Sequence, residues 1–155
     1  MKWKDKPLGK MITHVQSKFV NPYIRVRDQD CYGVSISDNG QISDAGHYFP
    51  VGSYNGMRFR VDNIHGQSRS GNSFKGGDLH NYRKGLINRH GIYYVEKLEL
   101  AAQKYKQIGY KFDRISVILT AETYKYILKN KIWIFDHEEF LCKRDELLKF
   151  GLIRL

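Results

Sequence analysis

The chain has 155 residues, with 26 Lys and Arg against 16 Asp and Glu, a formal net charge of +10 and a pI near 9.6. That length is one domain, and 41% hydrophobic with 14% aromatic residues is enough for a core. No apolar run approaches the roughly 18 residues of a membrane span, the opening MKWKDKPLGK has no apolar segment of a signal peptide behind it, and no basic amphipathic helix suits a lipid surface, so a polyanion, and among polyanions nucleic acid, is the expected partner. Cys31 and Cys142 lie far apart, which argues against a disulfide scaffold and fits a reducing cytoplasm.

In chain order, MITHVQSKFVNPYIRVRD reads as a basic, partly helical segment interrupted at Pro22. YGVSIS and QISDAGHYF flank Asp38-Asn39-Gly40, which predicts a β-hairpin across an Asn-Gly turn. A Gly-rich irregular loop follows, with MRFRV as a short extended piece. Leu79, Tyr82, Leu86 and Ile87 fall at helical spacing, with Asp78 placed to cap the helix and Gly91 to end it. GIYYVEKLELAAQKYKQIG predicts a second helix. Asp113 caps a third, RISVILTAETYKYILKNK, and Asp136 with Glu139 forms a capping box for a fourth, HEEFLCKRDELLKF. Strands segregated ahead of helices indicate an α+β domain.

Residues 44–72, DAGHYFPVGSYNGMRFRVDNIHGQSRSGN, hold two His and three Asn and almost no apolar run. Phosphodiester hydrolysis needs a base to activate water and a cation to stabilise the charge developing on phosphate and leaving oxygen. An imidazole, here His47, supplies a base at neutral pH. An Asn carbonyl can hold such a ring by one nitrogen, and a second Asn, or an Asp, offers a hard oxygen to hydrated Mg²⁺. Arg58, Arg60, Arg69 and Lys75 are positioned in sequence to cradle flanking phosphates, with Arg25, Arg27 and Arg83 as further DNA contacts. The plain alternative is a structural His on a strand. His14, His90 and His137 have no partner pattern and read as surface or capping residues, and Asp78 reads as a helix cap before a metal ligand.

Several ordered motifs carry a resemblance. Asn21-Pro22-Tyr23-Ile24-Arg25-Val26-Arg27-Asp28, Ala45-Gly46-His47-Tyr48, the run Arg58 to Gln67 containing Asp62-Asn63-Ile64-His65, then Asn72 to Gly77 and Leu79 to Ile87, resemble in one register the lambda NinG (Rap) recombination-protein family of the HNH, or ββα-metal, nuclease class. The match runs over about residues 16–91, and the tail beyond it matches loosely.

The resemblance implies a ββα-metal core over residues 1–91, with hairpin, loop and helix, and a helical extension over 92–155 packed on it as one unit. It implies a metal-dependent, structure-specific endonuclease cutting branched recombination intermediates, of Holliday-junction or D-loop type, in the cytoplasm of a phage's bacterial host. His47 would be the general base and Asn63 the residue orienting it. His65 joins the catalytic group, its role in the metal shell or on phosphate left open. Asn72 would hold Mg²⁺ or Mn²⁺. Asp44 would join it only if the strand bulges, because residues three apart on a strand face opposite sides.

Two departures stand out. The family's zinc-binding cysteines correspond to Cys31, Val34, Ser68 and Gly71, so no structural zinc is expected. Gly46 stands where many HNH sites carry an acid or His before the base. Three readings follow: a junction-cutting enzyme, a homodimer if it follows substrate symmetry; a catalytically weak or inactive DNA-binding protein that kept the fold; and a nicking or homing-type enzyme with sequence preference.

Overall fold

One nearly continuous helix opens the chain. In the computed structural model, which describes residues 1–155 apart from the Phe74 side chain, α1 (Leu8–Val15) runs through a π-helical turn at Gln16–Val20 into α2 (Asn21–Cys31). Pro22 does not interrupt the segment as expected. Proline has no N–H and its ring crowds the carbonyl four residues back, but the wider π turn lies just before it and Pro22 falls in the first turn of α2.

The sheet has two strands. β1 (Asp44–His47) pairs antiparallel with β2 (Ile64–Gln67), in the register Asp44 to Gln67, Ala45 to Gly66, Gly46 to His65 and His47 to Ile64. This corrects the hairpin expected around Asn39-Gly40. The turn itself forms, with Asn39 at φ 55° and the Gly40 N–H bonded to Asp38 Oδ1 at 3.0 Å, but no strand precedes it. The Ile36 N–H reaches the Gly66 carbonyl at 3.0 Å, and its own carbonyl lies directly against Gly85 in the next helix. That helix covers the edge where a third strand would pair. Nor is MRFRV extended; Asn55–Met57 form a 3₁₀ turn and turns continue to Asn63.

After β2 comes a second π turn, Ser70–Phe74, then left-handed backbone at Gly76, Gly77 and Asp78. Four helices follow: α3 (Leu79–His90), α4 (Ile92–Ile108), α5 (Arg114–Lys129) and α6 (His137–Lys149). Asp113 accepts from the Ser116 N–H at 2.9 Å and Asp136 from the Glu139 N–H at 3.0 Å, as their positions predict. Gly91 ends α3 at φ 88°. Asp78 does not cap α3 with its side chain; it sits at φ 50° and accepts from Asn81. The result is a mostly helical α+β fold with one strand pair and six α-helices.

Two apolar clusters hold it together. One joins Met11, Val15, Tyr23 and Ile24 to Val61, Ile64, Val117, Tyr124, Ile134 and Phe140. The other joins Ile36 and Met57 to Tyr82, Leu86, Val95 and Leu98. Both draw residues from either side of residue 91.

Arg27 lies at the centre and is fully buried. Its guanidinium donates to the carbonyls of Val61 (3.1 Å), Ile134 (3.0 Å) and Ile64 (2.9 Å) and to Asp28 Oδ1 (2.6 Å), with the Phe135 ring 4.2 Å away. Asp28 Oδ2 accepts from the Gly66 N–H at 2.6 Å. Burial works against the charge, but the charge and hydrogen bond of Asp28 outweigh it and hold Arg27 protonated. The expectation that Arg27 contacts DNA is therefore corrected: its donors are consumed inside the protein.

Removing one partner of such a buried pair leaves an uncompensated charge and unpaired carbonyls, at a cost of about 3–5 kcal/mol. Arg27→Ala is expected to lower unfolding free energy by that order in urea titrations. A folded variant with wild-type stability would contradict the central role given to this pair.

Candidate functional site

β1 ends on His47, and the chain then makes the long loop 48–63 before returning as β2. The His47 ring is half-buried, with Nε2 2.9 Å from the Arg58 carbonyl. A carbonyl only accepts, so Nε2 carries the proton and Nδ1 carries the lone pair. Among the described residues Nδ1 has no hydrogen-bond partner. Burial lowers the imidazole pKa to about 4. The Arg58 carbonyl bond works against that shift, and the Arg58 charge adds to it.

Asn63 does not touch this ring, contrary to the expected arrangement. Its amide clamps the loop: Oδ1 accepts from the Phe49 N–H (2.8 Å), and Nδ2 donates to the carbonyls of Phe49 (3.1 Å) and Met57 (3.2 Å). The loop so closed presents the Arg58 carbonyl to His47. Asn63 thus fixes the loop backbone next to Arg58 and makes no bond to the imidazole.

Asn72, in the π turn after β2, shares a cleft of about 250 Å³ with His47, Pro50, Val51, Gly76, Gly77 and Leu79. Its Nδ2 donates to Asp44 Oδ2 at 3.1 Å, and Asp44 Oδ1 meets the exposed Arg69 at 3.4 Å. Asp44 stands behind Asn72 and does not line the cleft. Beneath Gly46, the Gln67 side chain lies directly against the point where a Cβ would stand, so any larger residue there would collide. Gln67 had no assigned role in the sequence reading; only its burial beside Gly46 marks it.

His65 is fully buried. Its Nδ1 is 3.1 Å from the Tyr82 hydroxyl, which donates to the Gly46 carbonyl at 2.8 Å, and its Nε2 is 3.4 Å from the Tyr94 hydroxyl. Burial first, then the positive charge of Arg27, keep it neutral. The expected contact of His65 with phosphate or a metal shell is corrected: it supports β1 from below. His90 is likewise no surface residue. It stacks on Tyr94 at 4.4 Å, and burial brings its pKa to about 4.

The basic residues divide. Arg60 is buried and makes a two-point pair with Asp62 at 2.9 and 2.6 Å, so its expected DNA contact is corrected as well. Arg83 pairs with Glu99 at 3.3 Å. Arg25 lines a separate open groove of about 560 Å³ along α2, with Val26, Gln29, Asp30, Ile42 and Ser43. Arg69 and Lys75 are exposed. Arg58 is half-buried, with its Nε unpartnered and its charge felt by His47.

At the four positions that the resemblance sets against cysteines, Cys31 is exposed and the Val34 carbonyl accepts from Arg89 at 2.8 Å. Ser68 Oγ donates to Asp38 Oδ2 (2.5 Å) and accepts from the Gly71 N–H (3.0 Å). This clip ties residues 35–40 to the second π turn. Burial opposes the Asp38 charge, but the hydrogen bonds from Ser68 and the Gly40 N–H prevail and keep its carboxyl below the ordinary range. Among the described residues, no group of three or more His, Cys, Asp or Glu side chains could hold a metal ion. A cation beside His47 would rest on amide oxygens, of which Asn72 Oδ1 has no hydrogen-bond partner among the described residues. Those are hard donors of the type Mg²⁺ accepts, so the donor chemistry fits. No described helix is long and apolar enough to cross a membrane.

The family model described as "Bacteriophage Lambda NinG protein" matches residues 1–130. Relatives named "Protein ninG" from Escherichia phage 933W, Salmonella phage P22 and Escherichia phage lambda are each 38% identical over 96 residues, 61% of this chain. The match covers 47% of the first and 46% of the other two, so the chain spans about half the length of these relatives. No solved structure matches.

Four imidazoles are held neutral chiefly by burial: His47, His90 and His137 at about 4, and His65 well below its ordinary value. An unfolded chain protonates these rings near 6.5. Between about 6.5 and 4 the unfolded state binds more protons, so stability is fully present above about pH 6.5 and is lost as pH falls through that window. Urea titrations at stepped pH should show a plateau above neutrality and a steady decline below about 6.5. A flat profile down to pH 4.5 would show that these rings are not buried in neutral form.

Proposed function

Because the chain belongs to the bacteriophage lambda NinG family, we propose that it is a metal-dependent DNA endonuclease of HNH type acting on branched recombination intermediates. The observation that carries this reading is the meeting of His47 and Asn72 in one cleft, with the His47 ring anchored by Nε2 and its Nδ1 lone pair free. Nδ1 takes the proton of the attacking water, and the Arg58 carbonyl stabilises the imidazolium that forms. Asn72 would hold Mg²⁺ or Mn²⁺, which supplies charge stabilisation at the phosphate and the leaving oxygen. Asp44 keeps the Asn72 amide turned with its oxygen away from the carboxylate. Arg58, Arg69 and Lys75 hold flanking phosphates. No zinc is needed where the Ser68–Asp38 clip stands.

A second reading, a DNA-binding protein with weak or absent catalysis, draws support from the low pKa of His47 and from there being, among the described residues, no group of three or more His, Cys, Asp or Glu that could hold a metal ion. One experiment separates them. Purified protein is incubated with junction, flap, duplex and single-stranded DNA in Mg²⁺, Mn²⁺ or EDTA. Metal-dependent cutting of branched DNA supports the enzyme; tight binding with no cutting supports the alternative.

His47→Ala is expected to slow cleavage by a factor on the order of 10²–10⁴ with DNA affinity nearly unchanged. Since the ring must be neutral to accept a proton, kcat/KM should fall only as pH drops toward the free protein's imidazole value of about 4. An acid limb at about 6.5 would place the base in an unburied ring. DNA affinity should decline steeply with salt, with a log–log slope of about −0.9 per phosphate neutralised on duplex arms. Salt-independent binding would remove nucleic acid as the partner.

A further inference from the structure

Gln67, the last residue of β2, is fully buried. Its Nε2 donates to Ser37 Oγ at 3.1 Å and to the Gly77 carbonyl at 2.9 Å. The Gly77 carbonyl can only accept, so turning the amide over would set two oxygens against each other. Oε1 is thereby committed to the opposite side, against Gly46, where it has no hydrogen-bond partner among the described residues. The Asn72 amide is committed in the same way. Its Nδ2 is held by the Asp44 carboxylate, another acceptor, and its Oδ1 is turned to Gly46, 2.9 Å from where a Cβ would stand. Two amide oxygens therefore converge on one point at Gly46, with their nitrogens pinned elsewhere and no donor between them. Gln67 Oε1 is buried and unpartnered, which is costly unless positive charge or a donor sits beside it, and Asn72, half-buried, carries its own oxygen to the same point from the lining of the cleft.

We propose that Gln67 Oε1 and Asn72 Oδ1 together form a seat for a hard divalent cation, with Gln67 acting from β2 as the ligand that position 46 cannot supply. This deepens the nuclease reading and rests on it. Gly46 is part of the device, because any side chain there would displace the Gln67 oxygen. Two neutral amide oxygens give a weak site, in which Mg²⁺ would keep several waters and depend on substrate phosphates for the negative charge that carboxylates usually supply. Asp44 serves as the partner that orients Asn72 and so sets which end of the amide faces the seat.

The test uses the DNA-free, ¹⁵N-labelled chain and Mn²⁺. At substoichiometric Mn²⁺, paramagnetic broadening should remove the side-chain NH₂ signals of Gln67 and Asn72 before those of Gln103 and Asn130, which lie on other elements. In parallel, Mn²⁺ affinity read by electron paramagnetic resonance should weaken on the order of tenfold or more in Gln67→Met, with its melting temperature checked for a retained fold. If that variant does not fold, the wild-type broadening order decides alone. Persistence of the Gln67 signal while others broaden, or no effect of Mn²⁺ on either amide, would mean that only a water bridges the two oxygens and would overturn the proposal. Cleavage is scored separately. Cutting in Mn²⁺ without Gln67 broadening removes the seat and leaves the nuclease reading. Broadening without cutting of any DNA keeps the seat and removes that reading.

Discussion

The buried Arg27–Asp28 pair is the constraint on which the rest of the structure hangs. Through three carbonyls and one N–H it joins α2 to the end of the loop, to both ends of the Ile64–Gly66 stretch and to the segment before α6. Asn63 sits between two of the residues whose carbonyls Arg27 holds, so the clamp that presents the Arg58 carbonyl to His47 is built on a fixed backbone. Gly66 neighbours Gln67, so the same pair also sets the strand that carries the orphaned amide oxygen. The chemistry of the cleft is thus supported by a charge pair that never reaches it.

Charge is distributed to match. Arg27 is neutralised by Asp28 and Arg60 by Asp62, both inside the protein. These pairs cancel, which leaves the whole surplus of +10 to the surface. Near the cleft in sequence stand the exposed Arg69 and Lys75 and the half-buried Arg58. The polar side chains lining the cleft are neutral, an imidazole lowered by burial and the Asn72 amide, with the buried Gln67 amide behind them at Gly46. Burial, with no carboxylate beside the ring to raise its pKa again, leaves the His47 imidazole neutral.

Beneath the strand pair, the Tyr82 hydroxyl joins the Gly46 carbonyl to His65, while Tyr94 spans from His65 to the Phe135 carbonyl at 2.7 Å. This aromatic floor takes the place that a larger sheet would fill. It also explains why a histidine in the middle of a polar, functional-looking stretch is inert: its ring nitrogens already face tyrosines.

Local chemistry was legible in the sequence. The C-terminal helices, the Asp113 and Asp136 caps and the Gly91 stop depend on residues a few positions apart, and periodicity reports those directly. The order of His47, Asn63 and Asn72 was legible too, because it lies in a short ordered run. Strand pairing was not: the Asn39-Gly40 turn exists, yet β1 pairs with β2 across residues 48–63, since α3 occupies the competing edge through Gly85. Nor could composition separate Arg27 and Arg60 from Arg69, or His65 from His47. Charge and ring chemistry are identical in each set, and only burial against distant carbonyls and hydroxyls decides which are structural. The Gln67 oxygen is the furthest from sequence view, because its meaning depends on two amides, from different elements, being pinned by acceptors so that both oxygens face one glycine.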